Sequence, residues 1–298
     1  MSEKLGQLDL VFVVDNTGSM GSYIDVTKRK ILEIIRTIKK EELCHRLRVG
    51  LVSYRDHPPE DNSFVTQKYE LTSDTSIIEQ NVMQMSANGG GDGPEAVDDA
   101  MDAANRMEFL YDAAKVVVLV ADAPPHGVES GDRWPDGPPS GIRWNKEAAK
   151  AYDKGIVYHT VGCFPEIENY QHGVRVMKEI AEATQGKFFP LNEAENLVSI
   201  ITGVAIEEID KIAIQKSILD EMQVSIEDFP ADEELTDDKI KELAAKVRSS
   251  GMTKRAVKHA PSAAGGEEIE GFILEPEEIS EADIREAVRQ LKKKSDKE

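Results

Sequence analysis

The sequence has few cysteines, few basic residues and no long hydrophobic run. Only Cys44 and Cys163 occur among 298 residues, too few for a disulfide scaffold or a four-cysteine zinc site. The longest largely apolar runs, residues 8–14 and 116–121, fall far short of the roughly 20 residues that cross a bilayer. The N-terminus also lacks the basic and apolar regions of a secretion signal. These absences predict a cytoplasmic protein without a transmembrane helix.

The shortage of basic residues bears on the partners. The chain has 36 Lys and Arg residues against 56 Asp and Glu residues, which gives a formal net charge of -20. A protein with this charge repels phosphate backbones and anionic membrane surfaces. We therefore expect neither nucleic acid nor a membrane surface as a partner.

Aromatic residues become scarce toward the C-terminus. No Tyr or Trp follows Tyr170, and the only aromatic residues beyond Pro190 are Phe229 and Phe272. Such a segment has little from which to build a core. The sequence thus predicts a main domain over residues 5–212 and an acidic, largely disordered tail over residues 213–298. Within the tail, the pattern predicts two short helices, over residues 237–248 and 280–294.

Residues 5–212 alternate apolar strands with amphipathic helices, which is typical of a parallel sheet covered on both faces. We predict an α/β fold with a doubly wound, mostly parallel, six-stranded sheet. Strands are expected at residues 8–15, 48–54, 67–72, 115–121, 156–161 and 187–190. Helices are expected at residues 23–40, 75–85, 94–107, 146–154, 174–184 and 193–212.

Two of the predicted strands are closed by an aspartate, Asp15 and Asp122. In a doubly wound sheet, the carboxyl ends of the strands form the ligand edge where the winding direction reverses. Asp15 is followed by the hydroxyls of Thr17 and Ser19, and a glycine-rich loop at residues 89–96 contains Asp92. Carboxylate and hydroxyl oxygens without His or Cys favour Mg²⁺ or Mn²⁺.

The motif Asp15-x-Thr17-x-Ser19 resembles the Asp-x-Ser-x-Ser motif of the von Willebrand factor type A domain family, with threonine keeping the middle hydroxyl. That motif begins the family's metal-ion-dependent adhesion site. The resemblance covers roughly residues 5–212 and implies a Rossmann-like fold, in which Asp122 matches the family's later strand-end aspartate. Where many members place a ligand threonine in the glycine-rich loop, this chain offers Asp92. The loop motifs are most similar to those of intracellular members, including members found beside alpha-kinase domains.

The resemblance also implies a function. Ser19 and Thr17 would bind the ion through their hydroxyls, whereas Asp15 and Asp122 would often act through water. Mg²⁺ retains part of its water shell and can leave one coordination position for a carboxylate from a partner protein. The expected protein is a divalent-metal-dependent protein-interaction module that binds an acidic side chain, and not an enzyme.

Both tryptophans of the chain lie in a long loop over residues 124–144, directly after Asp122. Loops of this length are often functional, and this one is expected to overhang the metal site. His126, Arg133 and Trp134 are then candidates for partner binding. The alternative is that the tryptophans only anchor the loop to the domain.

Other interpretations remain open. The motif at Asp15 could be a capped helix start without metal. A metal-independent scaffold could use the loop over residues 124–144 and the tail helix, whose apolar stripe could enter a partner's groove. A phosphatase of the haloacid dehalogenase type also has an aspartate after its first strand, but Thr17 stands where that family has its general acid. The tail stripe consists of Ile284, Ala287, Val288 and Leu291.

Overall fold

The computed structural model describes residues 6–40, 44–91, 93–191, 197–230, 235–259 and 272–295. Its strands are β1 Gln7–Asp15, β2 Arg46–Tyr54, β3 Thr66–Thr72, β4 Ala113–Ala121, β5 Ile156–Cys163, β6 Phe188–Leu191, β7 Lys254–His259 and β8 Phe272–Glu277. Its α-helices are α1 Ile24–Lys40, α2 Thr75–Gln84, α3 Val97–Asn105, α4 Trp144–Asp153, α5 Gly173–Ala183, α6 Leu197–Met222, α7 Asp237–Ser249 and α8 Glu281–Ser295. Short 3-10 helices span Gly18–Ser22 and Glu166–Asn169.

The first six strands form one sheet in the order β3-β2-β1-β4-β5-β6. Only β3, at one edge, runs antiparallel to its neighbour. The chain therefore adds strands outward from β1 in one direction and then, from β4 onward, in the other. This arrangement confirms the predicted doubly wound, mostly parallel sheet and places the reversal of winding between β1 and β4.

The sheet is buried on both faces because its strands are almost continuously apolar. Along β1, Leu10 and Phe12 pack into the cluster covered by α1, α2 and α6, whereas Val11 and Val13 pack into the cluster covered by α3, α4 and α5. Successive side chains of a strand point to opposite faces, so one uninterrupted apolar strand supplies both cores. The two cores fix the strand ends rigidly, including the aspartates at the carboxyl edge.

Helix α3 begins later than predicted. The sequence pattern suggests a start at Pro94, whereas the helix begins at Val97. The residues between are used in other pairings, since the Glu95 amide donates to the Pro124 carbonyl and the Ala96 amide donates to the Arg55 carbonyl. These hydrogen bonds connect the glycine-rich loop to the residues that follow β2 and β4, and the helix begins only after them.

The tail has a core of its own, so the expectation of little core material after residue 212 is wrong. Twelve buried residues, contributed by α6, α7, α8 and two connecting segments, form a third hydrophobic cluster. Aliphatic side chains at helical spacing fill this core, and Phe229 is the only aromatic residue among the twelve. Burying a Leu or Ile side chain contributes about 1.5–3 kcal/mol, which makes a compact tail possible without Tyr or Trp. Both predicted tail helices are present.

Helix α6 joins the main domain to the tail. It continues to Met222, ten residues past the predicted end at residue 212. Val204 and Ile209 pack in the sheet core, whereas Ile214 and Ile218 pack in the tail core. The division of the chain at residue 212 stays a prediction. Within the described ranges, no helix combines the length and the apolar character needed to span a membrane.

Candidate functional site

The aspartates that close β1 and β4 lie side by side at the carboxyl edge of the sheet. The two strands pair directly, with Val14 aligned to Val120, so the chain brings Asp15 and Asp122 together at the reversal of winding. Both are buried, with exposed fractions of 0% and 1%. A carboxylate is rarely buried without a partner, because removing its charge from water is costly. Their placement therefore calls for a compensating group.

The turn after Asp15 is held by its own side chains. The Asp15 Oδ1 atom accepts hydrogen bonds from the Thr17 amide at 2.8 Å and from the Thr17 hydroxyl at 2.6 Å. The Thr17 hydroxyl also lies 3.1 Å from the Ser19 hydroxyl. Thr17 precedes the 3-10 helix over Gly18–Ser22 but makes no side-chain cap there. The hydroxyls thus face Asp15 and one another, which gives no support at Thr17 for a simple capped helix start.

The electrostatics of the pair show the cost of burying two like charges. Burial and the nearby charge of Asp122 raise the pKa of Asp15 to about 8. Burial also raises the pKa of Asp122, and the Ser19 hydroxyl acts in the opposite direction as a nearby donor. Ser19 is therefore a neighbour of Asp122, although among the described residues neither Asp122 oxygen has a hydrogen-bond partner. The Asp15 Oδ2 atom, within that same set of residues, also has none.

Three buried carboxylate oxygens without partners, beside two hydroxyls, fit a hard divalent cation. A bound cation would relieve the repulsion between the two aspartates and occupy the open oxygen lone pairs. Across the described ranges, no group of three or more His, Cys, Asp or Glu side chains is arranged to hold a metal. The donor set that the structure does show is Asp15, Thr17, Ser19 and Asp122. Two of these four donors are hydroxyls and two are carboxylates.

The glycine-rich loop closes over the same turn. The Gly18 amide donates to the Gly89 carbonyl at 2.8 Å, which fixes the loop against the Asp15 turn. Gly90 has a φ of +75°, and a Cβ atom built there would lie 3.2 Å from the Thr17 Cβ atom. The loop needs glycine at this position for both reasons. Asp92 lies outside the described residues, so its role as a ligand stays a prediction.

Sequence reasoning missed one acidic residue of this loop, Glu95. It is 3% exposed, and a Cβ atom on Gly90 would lie 2.6 Å from its Oε1 atom. Burial and the charges of Asp15, Asp122 and Glu95 raise the pKa of the Tyr54 hydroxyl well above its usual value. The only signal in the sequence was the position of Glu95 in the same loop as Asp92. The site is thus more acidic than the motif alone indicates.

The structure places His126 in the interior, with 1% of its surface exposed. Its Nε2 atom lies 2.8 Å from Asp56 Oδ1, and its Nδ1 atom lies 3.0 Å from Asp132 Oδ1. Burial lowers the pKa of His126, but the two carboxylates outweigh burial and the net pKa is raised. His126 therefore connects the long loop to the end of β2 and cannot itself offer an exposed contact. Its predicted contribution to partner binding is limited to holding the loop.

Arg133 and Trp134 occupy different environments in the same loop. The Trp134 ring packs edge-on against His126, with centroids 4.6 Å apart, and its amide donates to Asp132. This packing agrees with the alternative that Trp134 anchors the loop. The Arg133 side chain is 49% exposed and forms an ion pair with Glu60. Since a Cβ atom on Gly91 would meet Glu60, Arg133 stands beside the glycine-rich loop.

The residues that follow β2 have local structural roles. The Arg55 guanidinium donates to the Ser63 hydroxyl at 2.9 Å and to the Ser86 carbonyl at 3.1 Å. Asp56 accepts from the His57 amide, and the His57 ring lies 2.9 Å from Asp99. These contacts tie together the loops that surround the carboxyl edge.

Comparison with known proteins identifies similar chains. Over 111 residues this chain is 34% identical to the alpha-protein kinase vwkA of Dictyostelium discoideum, a match that covers 37% of this chain and 17% of the kinase. The chain therefore spans about a sixth of the length of that curated relative. The pilus adhesin SpaC of Lactobacillus rhamnosus GG, in an open conformation, shares the fold with a TM-score of 0.54 and 16% identity, over 70% of this chain and 30% of the adhesin. A second form of the adhesin gives a TM-score of 0.52 with 16% identity, over 70% and 31% of the two chains.

The likeness to the adhesin, at this level of identity, shows the fold alone. The family comparison goes further, because the von Willebrand factor type A domain matches residues 9–203, well over half of the chain. The matched range contains the six-stranded sheet except for the first two residues of β1, and it includes the Asp15 and Asp122 edge. The chain therefore belongs to the von Willebrand factor type A domain family.

Proposed function

We propose that this protein is a protein-binding module that recognises an acidic side chain of its partner through a divalent cation, Mg²⁺ or Mn²⁺. Membership in a family of protein-interaction and adhesion domains supports the general role. The observation that carries the metal dependence is the pair of buried carboxylates with three oxygens that, among the described residues, have no hydrogen-bond partner. A cation at Asp15 and Asp122 would compensate that buried charge.

Each residue of the site has a distinct part in this proposal. Ser19 and Thr17 present hydroxyl oxygens toward the cation, and Asp15 and Asp122 supply the negative charge that holds it. When bound, Mg²⁺ supplies a positive charge and a coordination position that a partner carboxylate can take. Asp15 also orients Thr17 through two hydrogen bonds. We keep Asp92 as a proposed further ligand, contributed by the glycine-rich loop.

Arg133 extends the binding surface beyond the cation. Its half-exposed guanidinium stands beside the glycine-rich loop, where it can pair with a second acidic group of the partner. Arginine is well suited to this because its planar fork binds carboxylates through two hydrogen bonds. His126 and Trp134 support the surface from beneath by fixing the loop. Since the chain is strongly acidic, both the cation and Arg133 are needed to attract an acidic partner.

The structure favours this function over the alternatives. In the tail-helix scaffold, the apolar stripe of α8 would be free to dock, whereas Ile284 and Leu291 are fully buried in the tail core. In a phosphatase, the residue two positions after the first aspartate would protonate the leaving group, whereas the Thr17 hydroxyl donates to Asp15 and has no acidic proton at neutral pH. We therefore propose no enzymatic activity. Two free cysteines suit the cytoplasmic location that we propose.

A calorimetric titration of Mg²⁺ into the full chain tests the metal site. We expect one saturable site, with affinity reduced at least tenfold in Asp122→Ala and Ser19→Ala. The matched control is Asp25→Ala, because Asp25 lies near the site in sequence but its side chain is 86% exposed. Equal Mg²⁺ affinity in the control and in Asp122→Ala would overturn the proposed metal site.

A second experiment tests the partner. The full chain is immobilised, and the proteins that it retains in the presence of Mg²⁺ are compared with those that it retains in the presence of chelator. We expect a partner that is retained only with Mg²⁺ and is lost in Ser19→Ala. A partner that is retained equally with chelator would instead support a metal-independent scaffold.

A further inference from the structure

A cavity of about 250 Å³ lies at the opposite edge of the sheet from the aspartates. Its floor is formed where β4 and β5 begin, at Ala113 and Ile156, and its walls come from α6 and from α8 of the tail. The cavity therefore exists only because the tail packs against the main domain. It is separate from the metal edge, since parallel strands place their amino and carboxyl ends on opposite sides of the sheet.

The acidic side chains that line this cavity are already neutralised. The pairs are Glu207 with Lys187, Glu208 with Lys211, Asp210 with Arg255, Glu277 and Asp283 with Lys254, and Glu286 with Arg289. Most of the cationic side chains in the lining are used in these same pairs. The acidic residues therefore do not make the cavity a cation site.

Lys294 is in a different situation. Its ammonium group donates to the amide oxygen of Gln215, a neutral group, at 2.8 Å. Burial, together with the neighbouring charge of Lys115, lowers the pKa of Lys294 to about 8, and Asp112 acts in the opposite direction. A largely buried ammonium beside a second ammonium gains from a bound anion.

A depression beside the cavity is also rich in lysine. An adjoining depression of about 540 Å³ shares Lys115 and Lys294 with the cavity. Its lining contains four lysines against two acidic residues, Glu108 and Asp153. This excess of positive charge is local, in a chain whose formal net charge is -20. An anion is thus attracted to this edge of the protein in particular.

Several apolar side chains also contribute to the walls of the cavity. Ile156, Ile212 and Ala287 line it, together with the ring of Tyr152. Apolar walls with a few placed polar groups are typical of small-molecule sites. An anion that also has an apolar body would remove these apolar side chains from water, which favours its binding.

We propose that this cavity binds a small amphipathic anion, with its carboxylate or phosphate group against Lys294 and Lys115 and its apolar body between Ile156, Ile212 and Ala287. The site joins the main domain to the tail, so its ligand would strengthen the packing of α8 against the sheet. This proposal is independent of the metal site.

Calorimetric titration of the full chain with hexanoate, hexyl phosphate and inorganic phosphate tests the proposal. We expect saturable 1:1 binding of hexanoate or hexyl phosphate, and the tighter of the two identifies the anionic group. Inorganic phosphate should bind at least tenfold more weakly than the tighter hexyl compound, since it lacks the apolar body. If neither hexyl compound binds, or if inorganic phosphate binds as well as both, the proposal is overturned.

Two variants locate the binding. Lys294→Gln and Lys115→Gln should each weaken the tighter compound at least tenfold, because each removes one ammonium at the proposed anion position. Lys292→Gln is the matched control, since Lys292 lies on the same helix and has the same charge but is outside both linings. We expect the control to bind within twofold of the unmodified chain. Equal weakening by Lys292→Gln would show a general charge effect and contradict the proposed site.

Discussion

Two clusters of buried charge lie at the carboxyl edge of the sheet, and they differ in one respect. In the first, Asp56 and Asp132 enclose His126, and both ring nitrogens of the histidine have a carboxylate partner. In the second, Asp15 and Asp122 face each other with three oxygens that, within the described residues, have no partner. The first cluster has a counter-charge within the chain, although Asp56 Oδ2 has no hydrogen-bond partner among the described residues. For the second cluster we propose that a cation supplies the counter-charge.

The largest expected effect concerns the cluster around His126. His126→Ala leaves Asp56 and Asp132 buried together without the ring between them, and breaking a buried charge pair costs about 3–5 kcal/mol. We expect the free energy of unfolding, measured in urea, to fall by that amount. His172→Ala is the control, because it removes a partly exposed histidine with no side-chain cap bond, and it should change stability by less than about 0.5 kcal/mol. A similar small change in His126→Ala would show that the buried histidine does not bridge the two carboxylates.

The second prediction concerns the Asp15 and Asp122 pair. Mg²⁺ at one hundred times its dissociation constant should stabilise the full chain by about 2.7 kcal/mol, because only the folded chain presents the site. Thermal unfolding with Mg²⁺ and with chelator measures this. The stabilisation should disappear in Asp122→Ala and remain in Asp25→Ala. Equal unfolding temperatures with Mg²⁺ and with chelator would contradict the proposed cation binding at Asp15 and Asp122.

The third prediction uses pH. The folded pKa of Asp15 is raised to about 8, so the metal-free protein binds an extra proton when folded, and its stability falls as pH rises from about 4 to about 8. Asp15→Asn removes the Asp15 part of that dependence and should stabilise the metal-free chain at pH 7, because no buried carboxylate has to be ionised at this position. Urea unfolding at several pH values, in chelator, checks both statements. Mg²⁺ should no longer stabilise this variant.

The two clusters respond to pH over different ranges. The folded pKa of His126 is raised above its ordinary value, so the stability from the charged ring is complete below about pH 6.5 and is lost as pH rises through the folded pKa. In Asp15→Asn, the loss of stability as pH rises above about 6.5 should become smaller when His126→Ala is added, while the raised pKa values of Asp122 and Tyr54 leave part of it in place. An unchanged loss in the double variant would assign the whole of it to groups other than His126.

The smallest effect on stability is expected for Arg133→Ala. The Arg133 side chain is half exposed, and its ion pair with Glu60 is worth less than about 1 kcal/mol. We therefore expect a change in unfolding free energy of less than about 0.5 kcal/mol. In the partner retention experiment, however, the variant should bind more weakly in the presence of Mg²⁺. Unchanged retention would remove Arg133 from the proposed surface.

Much of the fold was predictable from local pattern. The six strands of the sheet and both tail helices follow from apolar runs and helical spacing, and their observed bounds lie within a few residues of the expected ones. The start of α3 was missed because Glu95 and Ala96 give their amides to other loops, and such distant pairings leave no local signal. The tail core was missed because aromatic content does not measure how well aliphatic side chains, such as Ile214, Leu243 and Leu291, form a core together.

The candidate site was predictable in part. The motif at Asp15, Thr17 and Ser19 and the aspartate after β4 could be recognised, because hydroxyls and carboxylates at strand ends have few other uses at such spacing. The burial of His126 could not be recognised, because nothing near it in sequence shows that Asp56 would lie 2.8 Å from its ring. The exposure of Arg133 beside the half-buried Trp134 likewise depends on how the long loop folds back.

The sequence by itself determined the order of strands and helices, the acidic charge and the candidate oxygen donors, since all of these depend on residue type and spacing. Only the tertiary structure decided which buried charges are paired. It joined His126 to two carboxylates, left Asp15 and Asp122 facing each other, and placed Lys294 in a cavity between the sheet and the tail. Pairing of this kind depends on distances between residues far apart in the chain, and these distances are fixed only when the helices pack on both faces of the sheet.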